Sequence, residues 1–461
     1  MKQRVKELFK NTAIIGIGRI STQMISFLLI PLYSNILSTE EYGIFDLYSS
    51  GVSLMLPLVT LQIELAAYKY IITNRNDINR IKVLFSTAVM FIAIGLTIVF
   101  IGSRILNRVL FVENIQLLFW YLFTSVIFIL ENNIVRAFGD NINYTISSVI
   151  VSVCTIILNI VTLCEFDMGV TGLLISVIAA NFFGALYLLL KNRLYSFFSF
   201  SLISVKELKC MLKYSLPLIP NELSWWVIKG SDRMIVAYIL GTSFNGILAM
   251  GTKFANIFQS IVNIFITAWT ENAILYYEKG KEDFNKLVNQ LICLFGWIAV
   301  FAVHGIGFLF PFMVSEAFEQ AYELIPLYII AVYIYCLGGI FGAVYLAENR
   351  TVDVTISTII AGIVNFIMDI MLVKRIGIFA APIASILGYA MMTYYRINHL
   401  KDKKKFKLKK NIVVFLLAGF IFSLVGYLGK NPVKIVTLLG CVILFAINYH
   451  DLIDFVIKSR R

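Results

Sequence analysis

Charge is scarce in these 461 residues: 14% are Asp, Glu, Lys or Arg, against 59% that are hydrophobic. Soluble domains carry about 25% charged residues, so an ordinary soluble protein is excluded. Long polar stretches are missing too. The widest gaps between apolar blocks, 191–212 and 271–286, are too short for a globular domain, which argues against an enzyme hung from a membrane. There are three histidines, His304, His399 and His450, and six cysteines, at 154, 164, 210, 293, 336 and 441. They form no CxxC pair and no regular Cys/His spacing, so neither a disulfide framework nor a zinc site is indicated, and no cofactor is expected.

What the chain does have is apolar length. A membrane-spanning helix takes about 20 mostly apolar residues. Fourteen blocks meet this: 11–36, 44–68, 83–103, 116–137, 145–164, 169–190, 213–240, 246–270, 287–310, 323–346, 352–373, 377–398, 411–428 and 433–456. The expected fold is an all-α polytopic membrane protein of about 14 transmembrane helices. The N-terminal "MKQRVKELFK" precedes a long block with no small-residue cleavage site, so a retained helix is expected there and not a signal peptide. Of the Lys and Arg at block ends, between blocks and in the tails, 29 fall on the side of the N-terminus and 6 on the other. The positive-inside rule puts both termini in the cytoplasm. The basic run "KDKKKFKLKK" at 401–410 then reads as a topology signal at an anionic lipid surface, and not as a nucleic-acid site.

The chain also repeats itself. "TISSVIVSVCTIILNIVTL" from Thr145 answers "TISTIIAGIVNFIMDIMLV" from Thr355 at an offset of 210, which places Asn159 on Asp369. "LSTEEYGIFDLYSS" from Leu37 aligns with "LGTSFNGILAMGTK" from Leu240 at an offset of 203. The repeat unit is six helices, an even number, so the halves share one orientation, a construction that transporters use with a site at the repeat interface. The expected division is an N-terminal lobe at 1–212, a C-terminal lobe at 213–400, and the basic loop with two further helices at 401–461.

Charges at bilayer depth cost roughly 2.5–3.5 kcal/mol each and usually face a bundle interior or a wet cavity. In the seventh block Glu222, Trp226, Lys229 and Arg233 are spaced 4, 3 and 4 apart, which aligns them on one helical face. Lys253, Asn256, Ser260, Asn263 and Thr267 repeat likewise in the eighth block, Asp46, Ser50, Ser53, Pro57, Thr60 and Glu64 in the second, and Arg19, Thr22, Gln23 and Ser26 mark the first. Together these faces could line a central cavity. Arg19, Lys229, Arg233 and Lys253 would seat an anion such as a diphosphate, with Asn256 and Asn263 beside them. Asp232 lies off the stripe, placed for a structural ion pair with Arg233. Pro217 and Pro220 are expected to bend the seventh block.

"SDRMIVAYILGTSFNGILAMGTKFANIF", an Asp with a following basic residue, an apolar run, a Gly and a second Gly, resembles the signature of polysaccharide and O-antigen flippases (Wzx-type) of the multidrug/oligosaccharidyl-lipid/polysaccharide exporter superfamily. "ILSTEEYGIFDLYSS", "YTISSVI", "LNIV" and "GVTG" are similar to other parts of that family. An aromatic residue often follows the second Gly by two positions; Phe45 meets this and Leu248 departs from it. The resemblance implies a bacterial inner-membrane, non-enzymatic transporter. Its substrate would be an undecaprenyl diphosphate-linked oligosaccharide, an O-antigen, capsule or exopolysaccharide repeat unit, moved from the cytoplasmic to the periplasmic leaflet by alternating access. Other polysaccharide assembly proteins are implied partners. Glu64, Glu222 or Asp369 would couple an H⁺ or Na⁺ gradient. Two alternatives stand beside it: a multidrug/cation antiporter of the same superfamily, which would favour an acidic cavity, and a membrane glycan polymerase or acyltransferase, which would favour a catalytic His or Arg set on a large outer loop.

Overall fold

A computed structural model describes residues 27–110, 114–277, 281–348, 350–400 and 409–458. Among them every regular element is helical. In chain order these are α1 (Ile30–Ile36), α2 (Thr39–Thr60), α3 (Ile63–Thr73), α4 (Ile78–Leu110), α5 (Ile115–Phe138), α6 (Asn141–Ile160) and α7 (Gly169–Lys191). Then follow α8 (Val205–Ser215), α9 (Ile219–Ile239), α10 (Thr242–Tyr277), α11 (Lys281–Met313), α12 (Ala321–Ala347), α13 (Thr351–Ile376), α14 (Ala380–Asn398), α15 (Lys410–Leu428) and α16 (Asn431–Lys458). Ten stretches of the described residues are long and apolar enough to cross a membrane, one of them, Thr351–Asn398, joining α13 and α14 through the 3-10 turn Gly377–Phe379. The expected figure of 14 exceeds this. Only the end of the first block is described, and α9 and α10 fall outside the set. The protein is a multi-pass, all-α membrane protein.

The chain forms two compact units that divide between Ala237 and Tyr238, inside α9. In the first unit, small and branched residues at helical spacing make the core: Ile63, Ala66, Ala67 and Ile71 of α3 pack with Leu84 and Ala88 of α4, Ile134 of α5 and Met211 of α8. α2 begins with a capping box, in which the Ser38 hydroxyl accepts the Glu41 N–H (3.1 Å) and the Glu41 carboxylate accepts the Ser38 N–H (2.9 Å). This gives "LSTEE" its local meaning as a helix start.

The second block does not form one continuous helix. Leu61 (φ 45°) and Gln62 (φ 58°) both take left-handed backbone, a rare conformation for residues other than glycine. Gln62, Ile63 and Glu64 are buried at the break, where protein shields the interrupted backbone from lipid. Glu64 therefore opens α3, and it leaves the stripe that runs from Asp46 along α2. The seventh block does bend where its prolines stand: α8 ends at Ser215, a 3-10 turn covers Leu216–Leu218, and α9 starts at Ile219.

In the second unit α10, α12 and α14 pack closely, helped by glycines; a Cβ on Gly339 would lie 2.3 Å from the Ile266 side chain. α15 and α16 pack on α11. Ser423 of α15 donates to the Val300 carbonyl (3.1 Å), and Lys434 of α16 donates to the Gly307 carbonyl (2.8 Å). Tyr322 of α12 and Tyr427 of α15 stack with ring centroids 4.0 Å apart, each hydroxyl donating to the other's carbonyl.

Candidate functional site

The crossing of α2 and α9 concentrates the polar residues of the first unit. It is close because of Gly230, where a Cβ would lie 2.8 Å from Ser50 Oγ and 2.9 Å from Trp226 Nε1. Trp226 donates its indole N–H to the Ser50 carbonyl (3.0 Å), and the Ser50 hydroxyl donates to the Gly230 carbonyl (3.3 Å). One turn further along each helix, the Arg233 guanidinium is paired with the Asp46 carboxylate. The Arg233 Nε also donates to the Lys229 carbonyl (3.3 Å). The pair is partly covered, with side-chain exposures of 16% for Arg233 and 13% for Asp46. It thus has a strengthened attraction and remains within reach of a polar ligand.

This changes the role expected of Asp232. The salt bridge of Arg233 across the crossing is to Asp46. Asp232 is buried and accepts the backbone N–H of Arg233 (2.8 Å), which binds it to its own helix. Lys229 and Glu222 project from the exposed side of α9 two turns apart, and the Lys229 ammonium lies 5.7 Å from the Trp225 ring centroid. The α9 stripe of Glu222, Trp226, Lys229 and Arg233 therefore has two parts. Trp226 and Arg233 hold α2, while Glu222 and Lys229 are solvent-accessible.

The remaining expected residues sit as follows. Arg19 lies outside the described residues. Lys253, Asn256 and Asn263 are half-buried on α10 in the second unit, where the Asn263 side-chain carbonyl accepts the Tyr335 hydroxyl (2.9 Å) and the Asn256 backbone carbonyl accepts the Ser260 hydroxyl (2.8 Å). Asp369 is buried on α13. Its repeat counterpart Asn159, on α6, donates to the Tyr33 hydroxyl (2.7 Å). Glu64 is buried with one carboxyl oxygen, Oε2, lacking a hydrogen-bond partner, as does the side-chain oxygen of Gln62 at the same helix break. No group of three or more His, Cys, Asp or Glu that could hold a metal occurs among the described residues.

Sequence reasoning counted Asp46 in a polar stripe and did not rank it as a site residue. Its signal was the spacing to Ser50 and Ser53. Arg396 is a plainer miss: near the end of the block 377–398 and in no polar stripe, it is buried, donating to the Gly338 carbonyl (2.7 Å), Ser357 Oγ (2.9 Å) and Thr358 Oγ1 (3.4 Å). Glu131, the only acidic residue of block 116–137, carried the signal of any charge at bilayer depth.

Comparison with known proteins adds four findings. Residues 8–270 match a family described as "Polysaccharide biosynthesis protein". The chain is 24% identical over 307 residues to "Lsg locus putative protein 1" of Haemophilus influenzae, covering 62% of this chain and 69% of that one. Its fold is similar to a structure described as lipid II flippase MurJ in an inward closed conformation, with TM-score 0.72, 15% identity and coverage of 96% and 100% of the two chains. It is also similar to an inward-facing multidrug resistance MATE family transporter of the MOP superfamily, with TM-score 0.65, 14% identity and coverage of 82% and 96%.

Proposed function

This chain belongs to the polysaccharide biosynthesis protein family, and we propose that it is a flippase for undecaprenyl diphosphate-linked oligosaccharide. The observation that carries the reading is the largely covered but still accessible Asp46–Arg233 pair at the α2–α9 crossing, with Lys229 exposed beside it. The task requires a polar, cationic path for sugar and diphosphate while the polyprenyl tail stays in lipid. A guanidinium fork fits a phosphate at two oxygens, as it fits a carboxylate. A diphosphate entering from the cytoplasmic leaflet would therefore take Arg233 from Asp46, with Lys229 adding a second cation.

That exchange links binding to conformation. Asp46 holds Arg233 across the crossing, so replacing Asp46 by substrate removes one tie between α2 and α9. The two six-helix lobes, 1–212 and 213–400, would then rock to present the headgroup to the periplasmic side, with Arg19, Lys253, Asn256 and Asn263 completing the path. Both termini stay on the cytoplasmic side of the inner membrane.

Coupling to H⁺ or Na⁺ would fall to carboxylates away from that exchange. Glu64 is the best placed, since it and Gln62 bring two oxygens without hydrogen-bond partners to a break in the helix. Broken helices are where transporters bind coupling ions. Glu222 and Asp369 are the other two candidates.

The test is a null strain with no second flippase. Lipid-linked repeat units accumulating on the inner leaflet, with surface glycan lost, is the expected result. Normal surface glycan ends the proposal. In the complemented strain, Arg233→Ala is expected to block translocation and Arg233→Lys to restore part of it. Wild-type rates in both, with normal insertion, remove the diphosphate seat.

A further inference from the structure

A second site lies on the flank of the first unit, on residues the α2–α9 crossing does not use. Between α4, α5 and the segment after α7 there is a cavity of about 700 Å³. Its walls are mostly aromatic and aliphatic, including Phe85, Phe100, Phe119, Phe123 and Phe198, with exposed Trp120 and Tyr195 towards its two opposite ends. No Lys, Arg or His lines it among the described residues. One carboxyl does. Glu131 of α5 is 7% exposed, and its Oε2 has no hydrogen-bond partner.

A lone carboxyl here needs a physical account. Glu131 stands seven residues from the end of α5, about 10 Å along the axis at 1.5 Å per residue. Ionised and unpaired at such depth it would cost several kcal/mol. Packing alone would be better served by Leu or Met at this position. The surroundings specify what would satisfy it: an apolar body to fill the aromatic walls, and a cationic nitrogen that returns the cost of the charge. Aromatic faces add attraction to the same cation. An anion is rejected by the carboxyl, and a neutral alcohol gains only an ordinary hydrogen bond.

We propose that this cavity binds an apolar monoamine, with its ammonium on the Glu131 carboxylate. The site is independent of the glycan-carrier reading, because none of its lining residues belongs to the Asp46–Arg233 contact.

The experiment uses the full chain in nanodiscs, with 4-(1-pyrenyl)butylammonium and its neutral counterpart 4-(1-pyrenyl)butanol as probes. Energy transfer from tryptophan to pyrene reports binding, with empty nanodiscs as background. The wild type is expected to hold the ammonium at least tenfold more tightly than the alcohol. Glu131→Gln, which keeps the shape, should abolish that preference and leave alcohol binding unchanged. Ala93→Phe, which fills the cavity from α4, should remove binding of both. Equal ammonium affinity in wild type and Glu131→Gln overturns the proposal and leaves Glu131 a proton-binding group at most. Unchanged binding in Ala93→Phe overturns the location. No glycan lipid is present, so failure here leaves the flippase reading standing.

Discussion

Arg233 and Arg396 are both arginines set in apolar helices, and their partners separate them. Arg396, in the second unit, is enclosed by neutral oxygens of α12 and α13: one backbone carbonyl and two hydroxyls. Gly342 makes room for it, since a Cβ there would lie 2.6 Å from Nη1. Nothing dissolved can replace acceptors so built in, so Arg396 ties three helices together. Arg233 is held by a carboxylate in a partly open setting. An anionic ligand can take the place of that acceptor. What surrounds a buried cation, neutral framework or exchangeable anion, decides whether it serves structure or transport.

The comparison is broken most directly at Arg396. Arg396→Ala leaves a carbonyl and two hydroxyls without their charged donor, at a cost of about 3 kcal/mol or more. Thermal unfolding of the purified protein should show a large fall in Tm, and an unchanged Tm would mean the cluster is not a clamp. Arg233→Ala should lower Tm far less while translocation, followed as accumulated lipid-linked glycan, falls tenfold or more. A Tm loss as large as that of Arg396→Ala would erase the distinction.

Asp46→Asn sharpens the point from the other side. It removes the carboxylate with which an anion would compete for Arg233. Binding of an undecaprenyl diphosphate analogue should tighten several-fold, and equal or weaker binding would count against acceptor exchange. Gly230→Ala should cost about 1–3 kcal/mol by overpacking the crossing, read as a modest Tm shift that Ser50→Ala partly relieves.

The smallest effect belongs to Asp140, outside the membrane spans. It caps α6 by accepting the Asn143 N–H (3.1 Å), and it also accepts from the side-chain amides of Asn143 (2.6 Å) and Asn192 (3.0 Å). Partial burial raises its pKa, but the hydrogen bonds and nearby Lys191 outweigh this and hold it below the usual 3.8. A depressed carboxylate contributes stability above its unfolded pKa and loses it as pH falls through the folded value. Asp140→Ala should therefore lower Tm slightly at pH 7, by an amount worth about 1 kcal/mol. The difference from wild type should shrink as the pH is taken below about 3.8.

Much of the architecture was legible from local rules. Apolar length marked the helices, Pro217 and Pro220 marked the bend before α9, and spacing put Lys229 and Arg233 on one face. The break at Leu61–Gln62 had no such mark, because neither residue is Gly or Pro, and burial of Gln62, Ile63 and Glu64 holds the unfavourable backbone. Arg396 was missed for a related reason. It stands near the end of its block and in no polar stripe, and the glycines of α12 that admit it lie more than 50 residues away in sequence.

By itself, then, the sequence determined the helical membrane fold and the spacing of polar residues within each unbroken helix, because helix period and hydrophobic length are properties of neighbouring residues. Which cation meets Asp46, which is walled in by hydroxyls, and which carboxyl, Glu131, is left facing an aromatic cavity were decided by the tertiary structure. Those partners come from separate helices, and only their packing brings the atoms within hydrogen-bonding distance.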